Sequence, residues 1–362
     1  MDAIKHINKN KSNHKLTNQK IKSKELKVLC KQMSILLKSG CEITRILNIL
    51  QEESSKKLKK ALEQVSMNIQ NGNSITDSFE KTNLFSNFFI NMLHAGERSG
   101  SIDSIMDDLA TYYESEEKLR SKIISISIYP IILIIVSITV GIFMLVFIIP
   151  SFEMIFSSNG IDPPLLTKLL INLSMFIRNS YIYIVIVLLI FISSIYYLIK
   201  YNHKIKYIHD SLKLKIPFTK NIMILLITTR FCRALNILIE SGIQIIDAID
   251  ISSKVIDNDL VYKKLSISRE YISRGNSISY SISKSEIFSN TFISMIKIGE
   301  ESGRLDDALK VTTDFYSEEL NIKIDKIMKS AEPIVTLIIG LVIGLFIIAM
   351  VMPMFDAINS IQ

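Results

Sequence analysis

The sequence predicts an all-α membrane protein made of two duplicated cytoplasmic helical bundles and three transmembrane helices. Three observations carry that reading. Apolar residues are gathered into three blocks without a charged side chain, 123–150, 179–199 and 333–355. The chain contains its own second copy. The charged regions have helical periodicity and no convincing strand-like alternation.

Composition sets up the first point. Of the 362 residues 48% are hydrophobic, yet 21% are charged, and mean hydropathy is +0.32. A uniform globular domain does not combine these values, so the apolar residues must be concentrated. A helix rises ~1.5 Å per residue, so roughly 20 residues cross the ~30 Å hydrocarbon layer. Each block reaches that length, and none is read as a signal peptide. Pro130 and Pro333 are expected in the first turns of the first and third spans, where proline costs no intrahelical bond.

The repeat is read directly. LCKQMSILLKSG from Leu29 answers FCRALNILIESG from Phe231, 202 residues on. NGNSITDSF from Asn71 answers RGNSISYSI from Arg274, now 203 on. FSNFFINM from Phe85 matches FSNTFISM from Phe288, and GERSGSID from Gly96 matches GEESGRLD from Gly299. Pro130 and Pro150 match Pro333 and Pro353. A register kept this long marks an internal duplication.

The elements follow in order. Residues 1–24 form a basic arm; eight lysines stand against Asp2 and Glu25 by residue 27. Its readings are a solvated tail, contact with anionic lipid, or nucleic acid binding, which no aromatic interleaving supports. Residues 25–122 form the first bundle: Leu29, Met33, Leu36 and Leu37 make a helical stripe, and Gly40 caps it. The first span is 123–150, and 151–178 is a short extracytoplasmic loop or amphipathic segment. The second span is 179–199. The second bundle, 200–332, repeats the stripe with Phe231, Leu235, Leu238 and Ile239, capped by Gly242. The third span is 333–355, and 356–362 is an extracytoplasmic tail.

Charge orients these spans. Lys118, Arg120 and Lys122, then Lys200, Lys204 and Lys206, then Lys326 and Lys329 crowd one side; the segment 151–178 has only Lys168 and Arg178 as basic residues. The positive-inside rule puts the N-terminus and both bundles in the cytoplasm and the C-terminus outside. The duplication agrees: the middle span, which has no counterpart, returns the chain so that the second bundle lies with the first.

Motifs for chemistry are missing. No GxxxxGK[ST] loop and no HExxH are present, and the five histidines have no metal-like partner at helical spacing. Cys30, Cys41 and Cys232 form no CxxC pair and read as small core residues in a reducing compartment. The spans carry no Asp, Glu, Lys, Arg or His, as a transporter or channel path would need. No cofactor is implied. Membrane transporter or channel component, and membrane-bound enzyme, are the competing classes. Small residues four apart, Ser137 with Gly141 and Gly340 with Gly344, offer a helix-packing face.

The duplicated bundle, the LLKSG and LIESG helix ends, the GE-x-SG-x-[IL]-D turns, the proline-flanked spans and IDPPLLTKLLINLSMFIRNSY from Ile161 resemble the type II secretion system F family. Many members carry a further small domain ahead of the first bundle, where this sequence has the basic arm. The resemblance implies a non-enzymatic platform in the bacterial inner membrane. Its partners would be a hexameric cytoplasmic assembly ATPase, pilin or pseudopilin, other inner-membrane assembly proteins, membrane lipid and further copies of itself. The matching turns Gly96, Glu97, Gly100 and Gly299, Glu300, Gly303 are candidates for partner contact or for capping neighbouring helices. The small-residue faces would hold the two repeated spans together or seat a pilin helix, with Val342 facing lipid.

Orientation is directly testable. A reporter fused after Gln362 is expected to be active only outside the cytoplasm, and one fused near Lys213 only inside. Cytoplasmic activity at the C-terminus would overturn the three-span reading.

Overall fold

The computed structural model describes residues 20–158, 164–201, 211, 217–256 and 258–359, and every regular element among them is helical. The basic arm over 1–19, most of the stretch 202–216 and the last three residues lie outside the described residues. The chain divides into two compact units, 1–121 with 210–320 and 122–209 with 321–362.

The first unit holds both bundles. The first copy runs α1 (Ser23–Lys38), α2 (Ile43–Glu53), α3 (Lys56–Gln70), α4 (Ile75–Glu80), α5 (Asn87–Ser99) and the start of α6 (Ile102–Phe143). After a helical segment Met144–Ile148 and α7 (Ile149–Ser158) comes α8 (Leu165–Tyr201). The second copy repeats the bundle as α9 (Pro217–Glu240), α10 (Ile245–Val255), α11 (Asp259–Ser273), α12 (Ile278–Ser283), α13 (Asn290–Glu301) and the start of α14 (Leu305–Asn359). The change of offset from 202 to 203 falls in one connection: Ser54 and Ser55 link α2 to α3, whereas residues 256–258 link α10 to α11.

The cores are duplicated too. Leu29, Cys30 and Met33 are buried in one copy as Phe231, Cys232 and Leu235 are in the other. Burial pushes both thiols up and keeps them protonated. Ser86 caps α5 and meets the Tyr113 hydroxyl at 3.2 Å; Ser289 caps α13 and meets Tyr316 at 2.6 Å. Such caps absorb helix N–H groups that would otherwise lack partners.

The spans are parts of longer helices. Pro130 and Pro333 do not open helices as the sequence predicts; they lie inside α6 and α14, because bundle helix and span are fused. In hydrocarbon no water can satisfy a freed backbone group, so helix continuation is favoured over a break. The segment 151–178 likewise is helical on both sides of residues 159–163, with its latter part forming the start of α8. Among the described residues, the apolar side chains in the span portions of α6, α8 and α14 are largely exposed, as in a surface that faces lipid. By length and composition α9 could also cross a membrane, but 56% of its apolar window is buried. That burial marks it as a bundle-core helix.

Within the second unit, equivalent residues of α6 and α14 meet each other. Lys122 Nζ lies 2.9 Å from Asp325 Oδ2, and the Tyr129 hydroxyl donates to Glu332 at 3.3 Å; each pair is one repeat apart. Two such contacts seven residues apart fix the helices parallel and in register, consistent with spans that cross in the same direction.

The prolines at the far ends create a second constraint. A proline at 353 cannot donate to the carbonyl four residues back, which is Ala349. Thr167 of α8 donates to that carbonyl at 2.6 Å. Near Pro150 the helix is in π register: Ile149 N–H reaches back five residues to Met144. In that register position 150 would serve Leu145, and Pro150 cannot; Ser174 of α8 donates to the Leu145 carbonyl instead. Thr167 and Ser174 are both buried, and Leu145, Ile149, Ile171 and Phe346 pack around this junction.

Replacing Thr167 by Val keeps its shape and removes its donor. Leaving the Ala349 carbonyl unpaired should cost roughly 1–3 kcal/mol in detergent unfolding. In a Pro353→Ala background the restored N–H should make the same replacement nearly neutral. Equal costs in both backgrounds would dissociate the threonine from the proline.

Candidate functional site

The glycine–glutamate turns are built alike. Gly100 and Gly303 adopt φ values of +71° and +68°, the left-handed region open to glycine without strain. Gly96 and Gly299 are needed for a different reason. A Cβ at Gly96 would come within 2.8 Å of Ile105, and one at Gly299 within 2.4 Å of Ala308. Each first glycine therefore lets the following long helix pack against the one before it.

The carboxylates between them turn inward. Glu97 accepts from Ile75 N–H at 2.6 Å and Thr76 N–H at 3.1 Å. Glu300 accepts from Ile278 N–H at 2.5 Å, Ser279 N–H at 3.0 Å and the Ser279 hydroxyl at 2.8 Å. Both thus cap the short helices α4 and α12, whose first N–H groups have no helical partner. Partial burial opposes the charge of Glu300, but these hydrogen bonds outweigh it and hold the carboxyl below its usual range. Gly100 and Gly303, with Arg98 and Ser99 or Glu301 and Ser302 beside them, remain exposed, so the turns' outer surface is accessible while their acids are engaged.

Between the two copies lies a charged seam. Arg230 grips Glu116 through two nitrogens, at 3.1 and 2.6 Å. Beside this seam, within the second copy, Arg233 donates to the Ser317 hydroxyl at 2.9 Å. At the other end of this seam, burial, and then Glu240 and Asp107, push the Asp108 carboxyl up to about 6 against the opposing effect of Lys38. Among the described residues, no group of three or more His, Cys, Asp or Glu side chains could hold a metal ion.

The second unit contains an apolar groove of about 820 Å³ between α6 and α14, flanked by Leu170 and Leu173 of α8. Ser137 and Gly141 line it from one span, and Ile339 and Val342 from the other. Val342 therefore faces the groove, where the sequence reading placed it toward lipid. A Cβ at Gly141, Gly340 or Gly344 would meet no atom within 4 Å outside its own helix. The repeated spans are held by the Lys122–Asp325 and Tyr129–Glu332 pairs and by α8, so they need no close approach at these glycines. The polar residues that organise the spans were not singled out from sequence. The opposite charges of Lys122 and Asp325, at equivalent positions flanking two spans, and the seven-residue spacing of Thr167 and Ser174 were the available signals.

The family model described as type II secretion system (T2SS), protein F matches residues 29–150 and again 231–353. Among similar proteins, a type IV pilus assembly protein PilC of Thermus thermophilus is 30% identical, covering 94% of this chain and 84% of that protein. A PilC of Pseudomonas aeruginosa is 28% identical over 95% of this chain and 92% of its own length. A type II secretion system protein F of Vibrio cholerae is 27% identical over 94% and 84%.

Asp108 makes the seam pH-dependent. Its folded pKa lies above the ~3.9 of a free aspartate, so the stabilisation tied to its proton is complete below about pH 4 and lost as pH rises through about 6. Asp108→Asn is expected to raise the thermal midpoint at about pH 7.5 and to flatten its change between about pH 5 and 7. An unchanged profile would remove Asp108 from the seam's electrostatics.

Proposed function

Since the chain belongs to the type II secretion system protein F family, we propose that it is the inner-membrane platform of a type IV pilus or type II secretion-like machine. In this reading it couples a separate hexameric cytoplasmic ATPase to the insertion of pilin or pseudopilin subunits into a filament. The observation that carries the mechanical part is the fusion of bundle and span. Ile102–Phe143 and Leu305–Asn359 are each one helix extending from a bundle into an apolar segment. A displacement of a bundle therefore has a continuous helical lever through which to act on the bilayer. The chain has no phosphate-cradling loop, so the energy must come from another polypeptide.

The groove between α6 and α14 is the proposed seat of the incoming subunit. Its lining is apolar apart from Ser137, which returns its own hydroxyl to the Leu133 carbonyl at 2.5 Å. It thus suits an apolar membrane helix, which associates through van der Waals packing where water cannot drive contact. The exposed surfaces of the Gly96–Gly100 and Gly299–Gly303 turns are the proposed contacts for cytoplasmic partners.

Filling the groove is the decisive experiment. Val342→Trp and Ile339→Trp should abolish filament assembly while membrane insertion and abundance stay normal. Gly344→Leu, which adds bulk outside the groove, should leave assembly intact. The purified chain should not bind ATP, whereas assembly in cells should fail without a separate ATPase. Normal filaments from both groove-filled variants would sink the proposed seat, and tight nucleotide binding by the chain would sink the division of labour.

A further inference from the structure

The two copies in the bundle unit are joined head to tail. In the first copy, the contributing surface is α5 with α6; in the second, it is α9 with α10. Helix α10 packs on α5, and Arg230 of α9 grips Glu116 of α6. The reverse contact, between α2 and α13, has no comparable extent. A pairing of unlike faces leaves one face of each kind unused.

Both unused faces are apolar and open. On the first copy, Tyr112 is 5% exposed at the seam; its equivalent on the second copy, Phe315, is 45% exposed. Ala95 and Asp108 are replaced by Ile298 and Val311, which are 65% and 63% exposed. A cavity of about 540 Å³ opens here, lined by Met295, Ile298, Ala308 and Val311 among others. The opposite face behaves the same way. Ile237 of α9 is 7% exposed, while its equivalent Ile35 on α1 is the same residue at 56%. Val28 and Ile49 continue that open stripe.

We infer that these two faces bind a second copy of this chain, with α1 and α2 of one chain docking on α13 and α14 of the next. The argument is continuity with the seam inside one chain: repeating that contact brings a first copy against the exposed second-copy face. Lys27, Lys31 and Lys38 of the first copy are engaged by Glu114 and Asp107 of their own copy, and Arg304, Asp307 and Lys310 also line the second-copy cavity, so the exposed apolar residues carry the contact. The seam also sets the register. Since Glu116 meets Arg230, Glu319 of one chain should meet Val28 of the other. With Val28 in place of an arginine, this contact is the more apolar of the two.

The inference stands on the bundle contacts and is tested apart from filament assembly. Two differently tagged full-length chains, both carrying Cys41→Ser, would be co-expressed, one with Val28→Cys and the other with Glu319→Cys. Treatment of membranes with a short bismaleimide should give a species of twice the mass carrying both tags. Either variant expressed alone should give little. Adding Val311→Arg at the exposed cavity should abolish the cross-link and reduce the oligomeric mass in native mass spectrometry. An internal Glu116→Cys/Arg230→Cys chain, bridged and identified by peptide mass spectrometry, reports that the reagent reaches the seam. The inference is overturned if that control reacts while the inter-chain pair does not. It is equally overturned by a monomeric native mass, by equal linking of Val28→Cys alone, or by indifference to Val311→Arg. Cover by lipid or by an unrelated protein would surface as one of those results.

Discussion

The arrangement of the spans depends on two carbonyls that proline leaves without donors. In water such a group would be solvated at small cost; in hydrocarbon it must find a protein partner. Pro150 and Pro353 occupy equivalent places in the repeat, and the chain answers both with one helix that the repeat lacks. Thr167 and Ser174, two turns apart on α8, reach the Ala349 and Leu145 carbonyls. The middle span is therefore more than a return path. It closes the backbone of both repeated spans and fixes where they converge, while Lys122 with Asp325 and Tyr129 with Glu332 fix their register nearer the start of the apolar segments. The groove between the spans is what remains between those two sets of contacts.

The duplication is used differently in each unit. In the spans, equivalent residues face one another, as in a pair of like surfaces. In the bundles, unlike surfaces meet, with α10 against α5 and Arg230 against Glu116. Sequence divergence follows this difference. Positions that cap helices or permit close packing stay matched: Glu97 with Glu300, Ser86 with Ser289, Gly96 with Gly299. Positions in the asymmetric seam do not. Arg230 answers Val28, Asp108 answers Val311, and Ala95 answers Ile298. In each pair the position at the seam is polar or small, while its equivalent in the other copy is an exposed apolar residue.

This explains what could be read from the sequence. The helical class, the repeat and its one-residue slip were legible because they rest on periodicity and spacing, which local sequence carries. The three uncharged blocks were legible because a bilayer imposes length and polarity on any span. The fusion of bundle helix and span was obscured by Pro130 and Pro333, since proline argues for a helix start. The surrounding apolar environment favours an unbroken backbone and overrode that preference. Thr167 and Ser174 carry no such signal, because a lone hydroxyl on an apolar helix has no motif. Its role depends on a proline nearly two hundred residues away in one case and about two dozen in the other.

The acids of the duplicated turns sharpen the same lesson for function. A glutamate bracketed by glycines at two equivalent sites invites a reading as a binding group. Its geometry gives it a prior commitment: each carboxylate already receives two backbone N–H bonds from a six-residue helix. A helix that short has too few internal bonds to hold itself, so removing its cap would loosen the adjoining loop and the face it supports. A partner that drew Glu97 or Glu300 outward would have to replace those bonds. Contact is therefore cheaper at Gly100, Gly303 and the exposed residues beside them, where docking leaves the caps intact. On this argument the turns act as rigid surfaces, and loss of assembly in a Glu97 or Glu300 variant would report first on the integrity of the bundle beneath them.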